Sequence, residues 1–197
     1  MRVLRNIVLG AFTLFLATNY ALGGDKYVID QAHSYVGFSV RHMVIANVKG
    51  SFADFEGTIV YDEKNIANSS VNVTIKTASI NTNDEDRDKH LVSQDFFNVE
   101  KFPEMTFRST KVEKTDDGYV MYGIVSLLGV EKEIEVQFEM LGKTTDPWGK
   151  TRIGFEGQAK LDRKDFGMVW NKTMDAGGLV VGNEVKIDLQ VEAIIES

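Results

Sequence analysis

The sequence predicts an all-β protein: an eight-stranded antiparallel β-barrel with one inserted helix. Three observations predict it. Apolar and polar residues alternate with period two along most of the chain. Short turns separate the alternating runs. One long interruption, Thr77 to Thr110, has helical rather than strand character in its charged middle.

The first residues read as a targeting segment. Arg2 and Arg5 precede a mostly apolar run from Ile7 to Ala17, and Ala21-Leu22-Gly23 places small residues where an export peptidase reads. The run is about half the ~20 residues that a membrane-spanning helix needs. A cleaved export signal over residues 1–23 is therefore expected, followed by a single domain over residues 24–197 in a periplasmic or secreted protein. An uncleaved N-terminal anchor is the competing expectation.

The strands follow in order. Val36, Phe38 and Val40 share one face, with Ser39 and Arg41 opposite. Val48, Gly50 and Phe52 lie on even positions, whereas Phe55, Gly57, Ile59 and Tyr61 lie on odd ones. A strand cannot change faces without an extra residue, so a bulge or corner is expected near Ala53-Asp54. Val71, Val73 and Ile75 alternate with Asn72, Thr74 and Lys76. Met105 to Val112 and Tyr119 to Leu128 are joined by a glycine-ended hairpin loop, Thr115-Asp116-Asp117-Gly118. The second of these strands is apolar on both faces, which predicts a cover on its outer side, such as a second copy of the chain. Ile134 to Met140, Ile153 to Leu161 and Val185 to Val191 each alternate a dry and a wet face. That pattern marks antiparallel sheet. Closure into a barrel protects the edges of such a sheet, and eight strands leave an interior that is filled or holds one small ligand. A two-sheet sandwich satisfies the same alternation.

The helix is expected over Asp84 to Asn98. Asn83 or Asp84 can cap it, acidic residues fill its first turn, and Leu91, Asp95 and Phe96 fall on one side. Phe96-Phe97 is expected to plug one barrel end, and Pro103 ends anything helical.

Composition excludes several classes. The chain has 197 residues, 22 basic and 29 acidic, a net charge of −7 and no cysteine. An acidic surface repels nucleic acid and anionic lipid surfaces. Without cysteine there is no thiol catalysis and no thiolate metal site. His33, His42 and His90 lack the spacing of a zinc site, so no metal is expected. Asp84-x-Asp86-x-Asp88 with Asp95 imitates a calcium loop, but Lys89 stands where that loop needs glycine. No nucleotide loop is visible, and no cofactor is expected. An enzyme would need His33 or His42 as acid or base with an acid such as Asp30; no pairing with a nucleophile is legible, so no catalytic residue is expected. The long connection from Asp162 to Asn183 holds Phe166, Met168, Trp170, Met174 and Leu179 and reads either as a lid or as a plug.

Several blocks agree in order with a known pattern. They are Asp30-Gln31-Ala32-His33-Ser34 with Val36-x-Phe38-x-Val40-x-His42-Met43, Thr77 to Thr82, Arg87-Asp88-x-His90-Leu91, Asp95-Phe96-Phe97, Phe102-Pro103-x-Met105-Thr106-Phe107, Leu128-Gly129-Val130-x-Lys132, Asp162-Arg163-x-Asp165-Phe166-Gly167 and Val181-Gly182-x-Glu184-Val185-x-Ile187. On these residues the chain resembles the YceI-like family over nearly all of its length past the leader. The resemblance implies a lipocalin-like barrel with an apolar internal channel. It also implies a long isoprenoid lipid, a prenyl quinone or a fatty-acid amide as ligand, frequent export and frequent dimers.

Burial energetics set what such a channel can hold. Each buried methylene contributes about 0.8 kcal/mol, and association costs about 4–15 kcal/mol. About 5 methylenes therefore barely suffice, whereas about 20 hold firmly. The expected ligand-binding residues are Phe38, Val40, Val73, Ile75, Phe107, Val136, Phe138, Phe155, Ile187 and Leu189 on the dry faces, with Phe97, Phe166 and Trp170 at the opening.

Overall fold

The structure is a computed structural model that describes residues 23–175 and 177–196. The expected leader thus lies outside the described residues, apart from Gly23.

The strands are β1 (Asp25–Ile29), β2 (Tyr35–His42), β3 (Ala46–Phe52), β4 (Phe55–Tyr61), β5 (Ser70–Lys76), β6 (Ile80–Asn81), β7 (Glu104–Thr115), β8 (Gly118–Leu127), β9 (Val130–Thr145), β10 (Thr151–Asp162) and β11 (Val181–Ile195), with α1 (Glu85–Leu91) between β6 and β7. Among the described residues the paired strands are all antiparallel. From β1 the pairings run through β4, β5, β7, β8, β9, β10 and β11 and return to β1, so the eight-stranded barrel closes. Closure decides against the sandwich.

Two paths are broken rather than continuous. A 3-10 turn at Gln31–His33 separates β1 from β2. The face change read near Ala53-Asp54 is a corner: β3 pairs with β2, β4 pairs with β1 and β5, and the Ala53 amide donates to the Ser79 carbonyl at 3.1 Å. Long β11 serves both halves, pairing Ala193–Ile195 with β1 and Val185–Gln190 with β2.

The predicted alternation appears as burial. Val136, Ile153, Gly157 and Ala159 are buried while Glu135, Gln137, Gln158 and Lys160 are exposed. The core holds Tyr27, Ile153 and Ala193, each at most 1% exposed. Odd positions of β8 face inward, and its outer Val120, Tyr122 and Ile124 are half-buried, with Lys111 Nζ lying 5.7 Å from the Tyr122 ring centre.

The helix is shorter than expected, ending at Leu91 instead of Asn98. Asp84 caps it, accepting from the Arg87 amide at 3.0 Å. Val92 and Ser93 then stop it: Val is a poor helix former, and the Ser93 hydroxyl donates to the His90 carbonyl at 2.7 Å and competes with the ladder. The chain turns back, with the Phe97 amide on the Leu91 carbonyl at 2.9 Å, which swings both aromatics inward; Phe96 and Phe97 are buried. The calcium-like carboxylates are engaged here. Asp84 caps the helix, Asp88 accepts from the Thr82 amide at 3.0 Å and Asp95 bonds His90 Nε2 at 2.9 Å.

One ion cluster fastens the end of the barrel remote from α1. Arg152 Nη1 donates to Asp30 Oδ2 at 2.7 Å and to Glu192, and Arg152 Nε donates to Asp146 Oδ2 at 2.8 Å. It joins the end of β1, the β9–β10 loop and β11. The guanidinium holds the carboxyls of Asp30 and Asp146 below the ordinary aspartate range. Depressed carboxylate pKa values give stability that is present above the unfolded-state value and is lost as pH falls through the folded value. Arg152→Met should therefore lower the melting temperature at pH 7, and the gap from the parent chain should close below about pH 4, the unfolded aspartate value. Melting curves from pH 7 to pH 3 check this.

The β2–β3 loop carries strain. Met43 and Val44 sit at φ 46° and 65°, a region that a β-branched residue rarely enters. Val44 is 67% exposed, so little packing offsets the cost. Val44→Asn should raise stability by about 1 kcal/mol, because Asn tolerates this conformation; chemical denaturation measures it.

Candidate functional site

The inward faces meet in part, as where Tyr61 of β4 packs edge-on against Phe155 of β10 at 5.9 Å, but they leave space elsewhere. They enclose a cavity of about 200 Å³ lined almost wholly by apolar side chains from nearly every strand. A second cavity of about 470 Å³ lies at the α1 end, between α1, the starts of β3 and β11, and the β10–β11 connection. Phe38, Phe52, Met105, Leu161 and Ile187 line both, so the two cavities adjoin, an inner chamber and a mouth. Ligand sites commonly occupy about 300–1,000 Å³. The chamber alone falls short of that range, whereas the mouth lies within it.

Small residues help make the space. Gly123 faces inward, and a Cβ there would lie 2.3 Å from the Phe107 ring, so glycine lets that ring lie along the wall. Ala159 leaves similar room opposite Val136.

Of the expected residues, Phe38, Val73, Ile75, Phe107, Val136, Phe138, Phe155, Ile187 and Leu189 line the chamber. Val40, Phe97 and Trp170 line the mouth. Phe166 differs from its expected place at the opening. It is 2% exposed, belongs to the main core cluster and lines neither cavity. The 3-10 turn Arg163–Phe166 directs it inward, with Gly167 at φ 84° ending the turn. The Asp162–Asn183 connection therefore divides: Phe166 is plug, Met168 and Trp170 are lining, and Leu179 is 41% exposed.

Tyr61, Met121 and Val125 in the chamber and Leu91 and Val180 in the mouth are further lining residues not expected from the sequence. The first three share the inward parity of residues already read as strand. The last two lie at ends of elements, where periodicity has too few repeats to assign a face.

The mouth combines aromatic rings with polar groups. Phe96, His90 and Trp170 form a triangle with ring centres 4.8 to 5.3 Å apart. Phe52 meets Phe97 edge-on at 5.6 Å. Arg87 donates from Nε to Thr82 Oγ1 at 2.7 Å and from Nη2 to the Thr82 carbonyl at 2.8 Å, which anchors α1 to the end of β6. Arg163 is 3% exposed. Its Nη1 and Nε donate to the carbonyls of Met168 at 2.6 Å and Gly182 at 2.9 Å, tying the connection to β11, and burial pushes its pKa down.

The histidines stay apart in role. His42 and His90 line the mouth, but His33 lines neither cavity. His33 Nδ1 lies 3.0 Å from Asp30 Oδ2. Ligand atoms of Asp30, His33 and Glu192 lie within 4.8 Å of one another. That geometry resembles a metal site, yet Arg152 already contacts both carboxylates and supplies the positive charge.

Sequence comparison resolves the family. The YceI-like domain matches residues 27–193. The chain belongs to the YceI-like family. It is 43% identical over 167 residues to a UPF0312 protein of Photorhabdus laumondii, covering 83% of this chain and 87% of that one. The crystal structure of the Campylobacter jejuni YceI protein superposes with a TM-score of 0.69 at 36% identity, covering 85% of this chain and 96% of that one. A polyisoprenoid binding domain from Saccharophagus degradans shares the fold, with a TM-score of 0.60 at 14% identity over 86% of this chain and 98% of that one.

Proposed function

We propose that this YceI-like protein is a binding protein, not an enzyme. It holds one long isoprenoid-type lipid, a polyisoprenoid or prenyl quinone, or a fatty-acid amide, in the barrel channel for transport, storage or sequestration. The observation that carries the reading is the pair of adjoining, mostly apolar cavities, an inner chamber and a mouth at the α1 end, lined by side chains that leave space unfilled. The Saccharophagus degradans domain, named for polyisoprenoid binding, supports the same class of ligand.

The physics favours a chain threaded lengthwise. An apolar wall offers only burial at about 0.8 kcal/mol per methylene, so length supplies the affinity. The tail occupies the chamber and the polar end sits at the mouth, where His42 and Arg41 offer hydrogen-bonding groups. Export to the periplasm or exterior belongs to the same proposal, resting on Arg2, Arg5, the Ile7–Ala17 run and Ala21-Leu22-Gly23. So does a homodimer across the outer face of β8.

Native mass spectrometry with solvent extraction should recover a lipid from the purified protein. Ala159→Trp, which fills the chamber at an overpacking cost of about 1–3 kcal/mol, should abolish recovery while the circular dichroism spectrum stays β-rich. Recovery of no lipid, together with no uptake of added prenyl quinone, refutes the carrier reading. A substrate turned over by the parent chain but not by His42→Ala would favour an enzyme instead.

Export has its own readout. The protein recovered from its host should have lost residues 1–23 by intact mass; an N-terminus at Met1 rules out cleavage.

A further inference from the structure

The mouth holds one buried polar group that the fold leaves unmet. Most of the charged side chains around the cavity are committed to protein partners. Arg87 donates to Thr82, Asp84 caps α1, and His90 bonds Asp95 while packing on Phe96 and Trp170. Asp86 lies 3.4 Å from Lys89. Arg41 is exposed and His42 half-buried, so water reaches both. Arg163 differs: it is 3% exposed and still lines the cavity.

Its guanidinium is satisfied only in part. Nε and Nη1 donate to the Gly182 and Met168 carbonyls. Nη2 is buried and has no hydrogen-bond partner among the described residues. Asp162, whose charge favours the guanidinium, accepts from the Lys164 amide at 2.8 Å. Buried donors in native proteins are nearly always paired, and an unmet donor on a charged group is costly to keep. The two carbonyl bonds explain why a long donor ties the connection to β11. They leave the third nitrogen unexplained, because the same tie is made elsewhere without an orphan. Asn171 holds the connection to β11 by accepting from the Val181 amide at 3.1 Å and donating to the Val181 carbonyl at 2.7 Å.

A donor that lines a ligand cavity and lacks a partner is met by an acceptor that arrives with the ligand. The surroundings define that acceptor. Phe97, Met168 and Trp170 line the same mouth, so the oxygen belongs to an apolar body. Asp84 and Asp86 also line it and oppose a full anion. A neutral carbonyl, as in a quinone or a carboxamide, fits both conditions. Nη2 reaches it by a change of rotamer, which is common when a site fills.

We propose that Arg163 reads the head group of the ligand. Nη2 donates to a neutral carbonyl oxygen, so the barrel prefers an oxygen-bearing lipid to a bare prenyl hydrocarbon. The proposal rests on the carrier reading and deepens it, since burial along the chain selects length and Arg163 selects the end.

The test compares retention by the full chain of a prenyl quinone and of a prenyl hydrocarbon of the same length without oxygen. The parent should hold the quinone about tenfold or more tightly. Arg163→Met should remove that preference while the hydrocarbon is still retained. Asn171→Ala loosens the same connection without touching Arg163, and should weaken both lipids alike and keep their ratio. The infrared carbonyl stretch of the bound quinone should lie below its value in hydrocarbon solvent in the parent, and return towards it in Arg163→Met. If Arg163→Met does not fold, the parent still decides: equal retention of the two lipids, or an unshifted carbonyl band, overturns the proposal. So does a band that responds to Arg41→Gln with His42→Ala and not to Arg163→Met. A prenyl phosphate held more tightly than the quinone through Arg163 overturns the choice of a neutral carbonyl. Retention of the hydrocarbon without preference for the quinone leaves the carrier reading standing and removes only the role of Arg163, whereas retention of neither lipid removes both.

Discussion

Pairing of Ala193–Ile195 in β11 with Tyr27–Ile29 in β1 is the contact on which the molecule depends. An antiparallel sheet exposes unpaired amides and carbonyls at its two edges, and only closure removes them. Here the closing strand also continues past the seam, and its other half holds β2. One strand thus shuts the barrel at one end and extends its wall at the other. Tyr27 and Ala193, both 0% exposed, lie at this seam, and Arg152 fixes it from outside through Asp30 and Glu192.

Closure also sets the problem that the interior must solve. Eight strands enclose a space that side chains can just fill. This chain fills it unevenly. Tyr27, Ile153 and Phe166 pack solidly, whereas Gly157 and Ala159 line the open chamber. The channel is therefore a matter of where small residues meet large ones across the barrel. The mouth is held by different means. Arg87 anchors α1 to Thr82, and Arg163 ties the long connection to β11, so two loops that frame an opening are fixed by guanidinium groups on backbone carbonyls.

Functional cost concentrates at that opening. The strained Val44 and the exposed Ile45 each depart from what stability alone favours. Both lie at or just below the rim of the mouth. The remote end, by contrast, is stapled by the Arg152 cluster. The barrel is thus made firm by ion pairs at one end and leaves apolar side chains exposed at the other.

Alternation alone determined most of the strands (though not the short closing strand β1 or β6), the inward parity of Phe38, Val136, Phe155 and Leu189, and the corner at Ala53-Asp54, because side chains on a strand reverse face at every residue. It also placed the Asp84 cap, since an Asp before an acidic turn has a local physical reason to start a helix. Local pattern does not carry the end of that helix, because Val92 and Ser93 act together with the inward pull of Phe96 and Phe97 on the core. Nor does it distinguish Phe166, which packs, from Trp170, which lines the mouth; both belong to one irregular connection without a period. Whether dry-face side chains touch each other or enclose a channel depends on which residues oppose one another across the barrel, and that is settled only when β1 and β11 close the ring.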